Sequence, residues 1–171
     1  LVGLPLVQTM AMLAPDLDPH VLAAAYSSAY TTTSKRYERL FEGMQDLLAR
    51  PFRAAVATGK SQRGANRAVA QHGLGARFEI VLGANSVARP KPYPDMLEAI
   101  MKATNTSELV MVGDTTYDLE MACAAGVKAI GVSWGHHAVA RLEQWAQVVH
   151  SVDELSVVLT QMLGTTAFRT N

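Results

Sequence analysis

The sequence has few of the features that mark secreted, membrane-spanning or nucleic-acid-binding proteins. Its single cysteine, Cys123, has no second cysteine in the chain with which to form a disulfide. No apolar run reaches the roughly 18 residues that a membrane-spanning helix needs, and no secretory signal is visible at the start. Lys and Arg together number 15, as do Asp and Glu, so no net charge favours nucleic acid or an anionic membrane. We therefore expect a cytoplasmic protein with neither kind of partner.

The length and composition predict one main globular domain. With 171 residues, of which 49% are hydrophobic and 18% charged, the chain can bury one substantial core but not two full-sized ones. The neighbours of Cys123 are alanines at 122, 124 and 125. This setting predicts a thiol buried in a helix with a packing role, rather than a reactive one.

Short apolar runs alternate with helical patterns from residue 53 onward. This alternation is the signature of βαβ units and a parallel sheet. Strands are predicted at 53–57, 78–82, 109–112, 129–132 and 147–149, and helices at 61–73, 93–103, 116–125 and 152–163. The first 42 residues show only helical patterns, at 6–13 and 21–41. The fold class is therefore α/β, a Rossmann-like parallel sheet with flanking helices, preceded by a small helical module.

The residues that follow the predicted strands are the first candidates for a site, because ligands of open α/β sheets bind beyond the carboxyl ends of the strands. The strongest signal is the segment VGDTTYD at 112–118, in which Asp114 and Asp118 lie four apart on one helical face. Two carboxylates so close repel each other unless a cation lies between them, and oxygen ligands suit Mg²⁺. The alternative is that Asp114 and Thr115 only cap a helix while Asp118 is solvated.

Three motifs together resemble a known family. The segments AVATGK (55–60), RPKPYPD (89–95) and VGDTTYDLEMACAAG (112–126) resemble the second, third and fourth signature motifs of the haloacid dehalogenase-like (HAD) superfamily, in the same order. The resemblance implies a HAD-like core over 43–171 and a partial helical cap over 1–42. Within the family, the ATGK and SWG segments resemble phosphoglycolate-phosphatase-like members. The implied function is Mg²⁺-dependent hydrolysis of a small phosphorylated metabolite, with a phosphoglycolate-like substrate as the nearest guess.

The resemblance assigns a role to each matched residue. Thr58 and the neighbouring amide of Gly59 would bind a phosphoryl oxygen, although Thr58 alone is equally consistent with a strand end. Lys91, held between two prolines, would neutralise charge on the phosphate and on an aspartate. Asp114 would coordinate Mg²⁺ directly, and Asp118 directly or through a water molecule.

Other polar residues near the predicted strand ends have weaker signals. Lys60 and Arg63 would add positive charge near the phosphate, and a surface-helix role explains them equally well. Trp134, His136 and His137 follow a predicted strand and either line the pocket or serve only packing and solvation. Two adjacent histidines lack the spacing of a zinc site.

The nucleophilic aspartate of the family mechanism has no recognisable counterpart in this sequence. By resemblance it belongs to a DxDGT segment that ends the first core strand, and the chain shows no such segment. The run Asp16-Leu17-Asp18 copies the spacing, but Pro19 and His20 follow it, which predicts a loop with a helix cap. Without that central strand, the strands that end at Thr58 and Asp114 would each keep one unpaired inner edge. We therefore expect the natural protein to contain an upstream segment of a few tens of residues.

Two alternatives to a phosphatase remain open. One is a non-catalytic phosphate- or partner-binding protein that has lost its nucleophile. The other is a haloacid dehalogenase, in which the aspartate attacks carbon and no metal is needed; the pair Asp114 and Asp118 counts against it.

Overall fold

The fold is an α/β arrangement of parallel strands and flanking helices. The computed structural model describes residues 2–164, apart from the side chains of residues 34–36; the end of the predicted core, 165–171, lies outside the described residues. The helices are α1 (Leu6–Leu13), α2 (Pro19–Tyr37), α3 (Met44–Ala49), α4 (Gln62–Gln71), α5 (Asp95–Thr104), α6 (Thr116–Ala124), α7 (Val139–Leu142) and α8 (Val152–Leu163). The strands are β1 (Ala55–Ala57), β2 (Ile80–Leu82), β3 (Val110–Gly113), β4 (Lys128–Val132) and β5 (Gln147–Val149).

All strand pairings are parallel, as the alternating pattern predicts. Strands β1 and β2 pair with each other, and β3, β4 and β5 pair in that order. Helix α4 connects β1 to β2 and α6 connects β3 to β4, which are the crossovers that parallel neighbours require. The predicted α/β class is confirmed.

The strands form two sheets rather than one. Within the described part of the chain, no strand pairs with the second edge of β1 or with that of β3. These are the two edges that the sequence predicts to be unpaired. A shared apolar core joins the sheets, because Met96, Ile100 and Met121 on α5 and α6 pack against residues of both. Each such buried side chain contributes roughly 1.5–3 kcal/mol relative to an exposed one.

A second core cluster fixes the far side of the three-stranded sheet. Helix α8 buries Leu155, Val158 and Leu159, which the helical period predicts to share one face. They pack with Ile130 and Val149 of β4 and β5. The Ser151 side chain caps the helix by accepting a hydrogen bond from the Glu154 amide at 3.1 Å. The three-stranded sheet is thereby packed against the buried face of α8.

Helices α1 and α2 form the amino-terminal part. Asp16 and Asp18 lie in the loop between them, and the Asp18 carboxylate accepts a hydrogen bond from the His20 amide at 2.8 Å. The predicted loop with a helix cap is confirmed. Helix α2 ends at Tyr37, before the predicted end at 41, and the Glu38 side chain contacts the core beyond it. The exact cap boundary near residue 43 stays a prediction.

The prediction for Cys123 is wrong. The thiol is exposed, because α6 turns Leu119, Met121 and Ala122 towards the core and Cys123 away from it.

None of the helices described is long and apolar enough to cross a membrane.

Candidate active site

Three loops at the carboxyl ends of the strands form the candidate site, and they follow β1 (58–60), β2 (83–94) and β3 (114–115). The loop after β4 (133–137) contacts the third of them. Residues 3 and 4 lie against the loops after β1 and β3. A Cβ atom added to Gly59 would lie 2.9 Å from the carbonyl oxygen of Gly3, and one added to Gly3 would lie 2.8 Å from Oγ1 of Thr115. Only glycine at position 59 allows this approach, and the φ of +101° at Gly3 is also one that glycine favours.

Lys91 and Asp118 form a buried ion pair at this edge. The Lys91 ammonium donates to Oδ1 of Asp118, and their side chains are 7% and 5% exposed. Oδ2 of Asp118 accepts from the amide of Thr115 at 3.1 Å and from its hydroxyl at 2.7 Å. By accepting from the amide of the N-cap residue Thr115, the Asp118 carboxylate satisfies a backbone donor at the start of α6. The alternative that Asp118 is solvated is therefore wrong, and Lys91 is not a solvated surface charge.

Two glycines make room for the carboxylates. A Cβ atom on Gly113 would overlap the side chain of Asp118, and one on Gly135 would overlap the carboxylate of Asp114. Neither glycine has a positive φ. Close approach, rather than a left-handed turn, is thus the reason for glycine at both positions.

The loop after β4 contacts Asp114 directly. Oδ2 of Asp114 accepts from the His136 amide at 3.0 Å and from Nδ1 of its ring at 2.7 Å. The His137 amide donates to the backbone carbonyl of Asp114 at 3.1 Å. The sequence places both histidines after a strand, and the structure brings them onto the acidic motif 22 residues earlier.

His137 has a role in the backbone of α6. Its Nδ1 accepts a hydrogen bond from the Thr116 amide at 3.0 Å. Its ring makes a T-shaped contact with the ring of Tyr117, with the centroids 5.6 Å apart. Burial, with the positive charge of Arg141, lowers the pKa of His137 below its ordinary value. A neutral ring agrees with Nδ1 as an acceptor.

Lys60 contacts the helical part of the chain. Its ammonium donates to Tyr30 Oη and to Glu38 Oε1, both at 2.9 Å, and lies 4.5 Å from the centre of the Tyr30 ring. Burial opposes the charge on Lys60, but the hydrogen bonds to Tyr30 and Glu38 outweigh it and raise the pKa of Lys60. Burial likewise opposes the charge on Glu38, and the hydrogen bonds from Tyr30 and Lys60 lower its pKa. Lys60 as a phosphate ligand stays a prediction.

Thr58 lies at the end of β1, as predicted. Its amide donates to the Leu82 carbonyl at 3.0 Å, and its hydroxyl oxygen accepts from the Lys60 amide at 3.3 Å. The hydroxyl proton stays available to an oxygen of a ligand.

One carboxylate oxygen of the candidate site is left for a cation. Among the residues described, no hydrogen bond reaches Oδ1 of Asp114, whose side chain is 34% exposed. Both oxygens of Asp118 are engaged by Lys91 and Thr115. No three His, Cys, Asp or Glu side chains within the described range converge on one point. Mg²⁺ keeps several waters and needs one or two carboxylates plus phosphate oxygens, so Asp114 fits it as a direct ligand. Direct or water-mediated binding by Asp118 stays a prediction.

Comparison of the sequence with known proteins shows the family of the chain. Residues 1–132 match the family described as haloacid dehalogenase-like hydrolase. The probable phosphatase IndB of Dickeya dadantii is 42% identical over 104 residues, which cover 60% of this chain and 45% of that protein. Phosphoglycolate phosphatase of Colwellia psychrerythraea is 29% identical over 119 residues, covering 68% of this chain and 53% of that protein. The chain thus spans about half the length of these curated relatives.

A solved structure shows the same architecture. The protein tyrosine kinase PtkA of Mycobacterium tuberculosis superposes with a TM-score of 0.76 at 27% sequence identity. The match covers 92% of this chain and 78% of that one.

Proposed function

Because this chain belongs to the haloacid dehalogenase-like hydrolase family, we propose that it provides the phosphate-binding and metal-binding loops of a Mg²⁺-dependent phosphatase. The observation that carries the proposal is the buried ion pair of Lys91 and Asp118 next to Asp114. Taking a lysine and a carboxylate out of water costs free energy that their mutual attraction must offset, so packing alone does not explain such a pair at the strand-end edge.

Each loop has a distinct task in this proposal. The hydroxyl of Thr58 and the amide of Gly59 bind a phosphoryl oxygen at the end of β1. The Lys91 ammonium, fixed by Asp118, offers its remaining donors to the phosphate and to the attacking carboxylate, whose charges it offsets in the transition state. Asp114 holds Mg²⁺, which when bound withdraws charge from the phosphoryl oxygens.

Turnover also requires a nucleophilic aspartate, and the three loops contain none besides the proposed metal ligand. Asp16 and Asp18 lie between two helices and do not end a strand. We propose that an aspartate outside these loops attacks phosphorus and displaces the leaving group, which the acid two residues after it protonates. The same acid, now a base, would then activate the water that cleaves the aspartyl phosphate, releases phosphate and restores the aspartate.

The names of two relatives support a proposal for the substrate class. IndB and the Colwellia enzyme are named phosphatases, the latter for phosphoglycolate. We propose a small phosphorylated acid of the phosphoglycolate type. PtkA is named a kinase. The test therefore also asks whether the phosphoryl group is transferred to water or to a tyrosine hydroxyl.

The test uses three proteins: the unaltered chain, a chimera that carries a family member's first strand and DxDGT segment ahead of residue 1, and the same chimera with Asp114→Asn. Hydrolysis of p-nitrophenyl phosphate and of 2-phosphoglycolate is followed with and without Mg²⁺. We expect Mg²⁺-dependent phosphate release from the chimera and none from the chimera with Asp114→Asn. Circular dichroism establishes that each protein is folded.

The competing functions give different results in the same assay. Halide release from chloroacetate without metal would identify a dehalogenase. Phosphate transfer to a tyrosine peptide in place of hydrolysis would identify a kinase. A folded chimera that binds Mg²⁺ but turns over no substrate would identify a non-catalytic binding protein.

A further inference from the structure

The Asp114 carboxylate is held on one oxygen only. Two donors of one residue, the amide and the ring Nδ1 of His136, meet at Oδ2 at 3.0 and 2.7 Å. The other oxygen, Oδ1, receives no hydrogen bond from the part of the chain that the structure describes. The carboxylate is therefore asymmetric, with one oxygen saturated by donors and one left for another partner.

Packing does not explain this orientation. The Asp114 side chain is 34% exposed and that of His136 is 60% exposed, so neither is confined by a core. The neighbouring histidine is not a substitute, because Nδ1 of His137 already accepts from the Thr116 amide. The ring of His136, together with its own backbone amide, therefore holds Oδ2 of the Asp114 carboxylate.

We propose that His136 is a positioning residue for cation binding: its Nδ1–H holds Oδ2 of Asp114 so that Oδ1 is presented to a divalent cation. The inference rests on the proposed function, in which Asp114 is the direct ligand. Hydrogen bonds to the second oxygen of a ligating carboxylate orient it and reduce the ordering that metal binding must otherwise supply.

The experiment measures metal binding without substrate or turnover. The full chain is titrated with MnCl₂ and free Mn²⁺ is counted from its electron paramagnetic resonance signal, because Mn²⁺ suits the same oxygen ligands as Mg²⁺. The variants are His136→Ala, His136→Asn and Asp114→Asn. His150→Ala, an exposed histidine at the end of β5, is the matched control.

We expect His136→Ala to weaken Mn²⁺ binding by roughly 10-fold or more, within the range for partners of metal ligands. His136→Asn keeps a donor at the position of Nδ1 and should restore binding to within about threefold. Because His136 is exposed, these changes leave folding intact, and thermal melting checks this.

The other outcomes overturn the inference in distinguishable ways. If His136→Ala binds Mn²⁺ as the unaltered chain does while Asp114→Asn does not, the metal site stands and the positioning role fails. If His136→Asn is as weak as His136→Ala, the donor at Nδ1 is not what matters. If Asp114→Asn binds normally, or the unaltered chain does not bind, the proposed metal site itself fails, and the positioning role with it.

Discussion

Lys91 and Asp118 each bury more than nine-tenths of their side chain and neutralise each other at the start of α6. Their positions are 27 residues apart in the chain, on a proline-flanked loop and in the first turn of a helix. The pair therefore links the segment that precedes α5 to the acidic motif after β3.

Lys91→Met should lower the free energy of unfolding by about 3–5 kcal/mol, because it leaves the Asp118 charge buried without a cation. Lys91→Met with Asp118→Asn removes both charges and should recover a large part of that loss. Urea denaturation of the two proteins measures the difference. Equal stability of the single and double variants would contradict a buried, mutually compensated pair.

Gly135→Ala should disturb Asp114 without changing any charge. The added methyl group would overlap Cβ, Cγ and Oδ2 of Asp114, and side-chain rotation does not move Cβ, so the loop must shift and disturb the hydrogen bonds to His136. We expect Mn²⁺ affinity to fall by roughly 10-fold or more, as when the support of a metal ligand is removed. Gly75→Ala, where a Cβ atom meets nothing within 4 Å, is the control and should bind normally.

Lys60→Met should weaken the attachment of α2 to the core by about 1–2 kcal/mol, because Glu38 loses its cation and Tyr30 a hydrogen bond. The cost should depend on pH. The pKa of Glu38 is lowered from an ordinary value of 4.5. Its ionised form thus stabilises the fold above that pH, and the contribution is lost as the pH falls through the folded-state pKa.

Urea denaturation at pH 7 and pH 3.5 tests the role of Lys60. The difference between Lys60→Met and the unaltered chain should shrink at the lower pH. Arg63→Met, an exposed cation one turn away on α4, should cost little at either pH. A pH-independent cost of Lys60→Met would show that the charge of Glu38 is not involved.

Asp18→Ala should cost about 0.5–2 kcal/mol by removing the cap of α2, whereas Asp18→Asn keeps an acceptor and should cost little. Both variants should leave phosphatase activity of the chimera unchanged. Loss of activity in Asp18→Asn with full stability would instead make this aspartate a catalytic group.

The sequence predicts elements well where a period repeats several times. Helix α8 has the predicted bounds because Leu155, Val158, Leu159 and Met162 recur on one face. Helices α3 and α7 have six and four residues. Because so few residues show no helical period, the sequence does not predict these two helices. Cys123 was misplaced because alanines on all sides carry no amphipathic signal to tell the inner face of α6 from the outer one.

The candidate site, too, is predictable from the sequence only in part. The strand ends and the spacing of Asp114 and Asp118 follow from local sequence. The partners do not, because Lys60 meets Tyr30 from 30 residues earlier and Asp114 meets His136 from 22 residues later. Such contacts are decided by how the two sheets and the helical part pack, which no local pattern encodes.

The close fit of Gly3 against Gly59 and Thr115 has a mechanical consequence. The segment that leads into α1 lies against the loops after both β1 and β3, and those strands belong to separate sheets. A displacement of residues 3 and 4 would therefore disturb both loops at once. The loop of the proposed phosphate-binding threonine and that of the metal-binding aspartate thus share one neighbour, the backbone of residues 3 and 4, in addition to the link that Lys91 and Asp118 make between the two sheets.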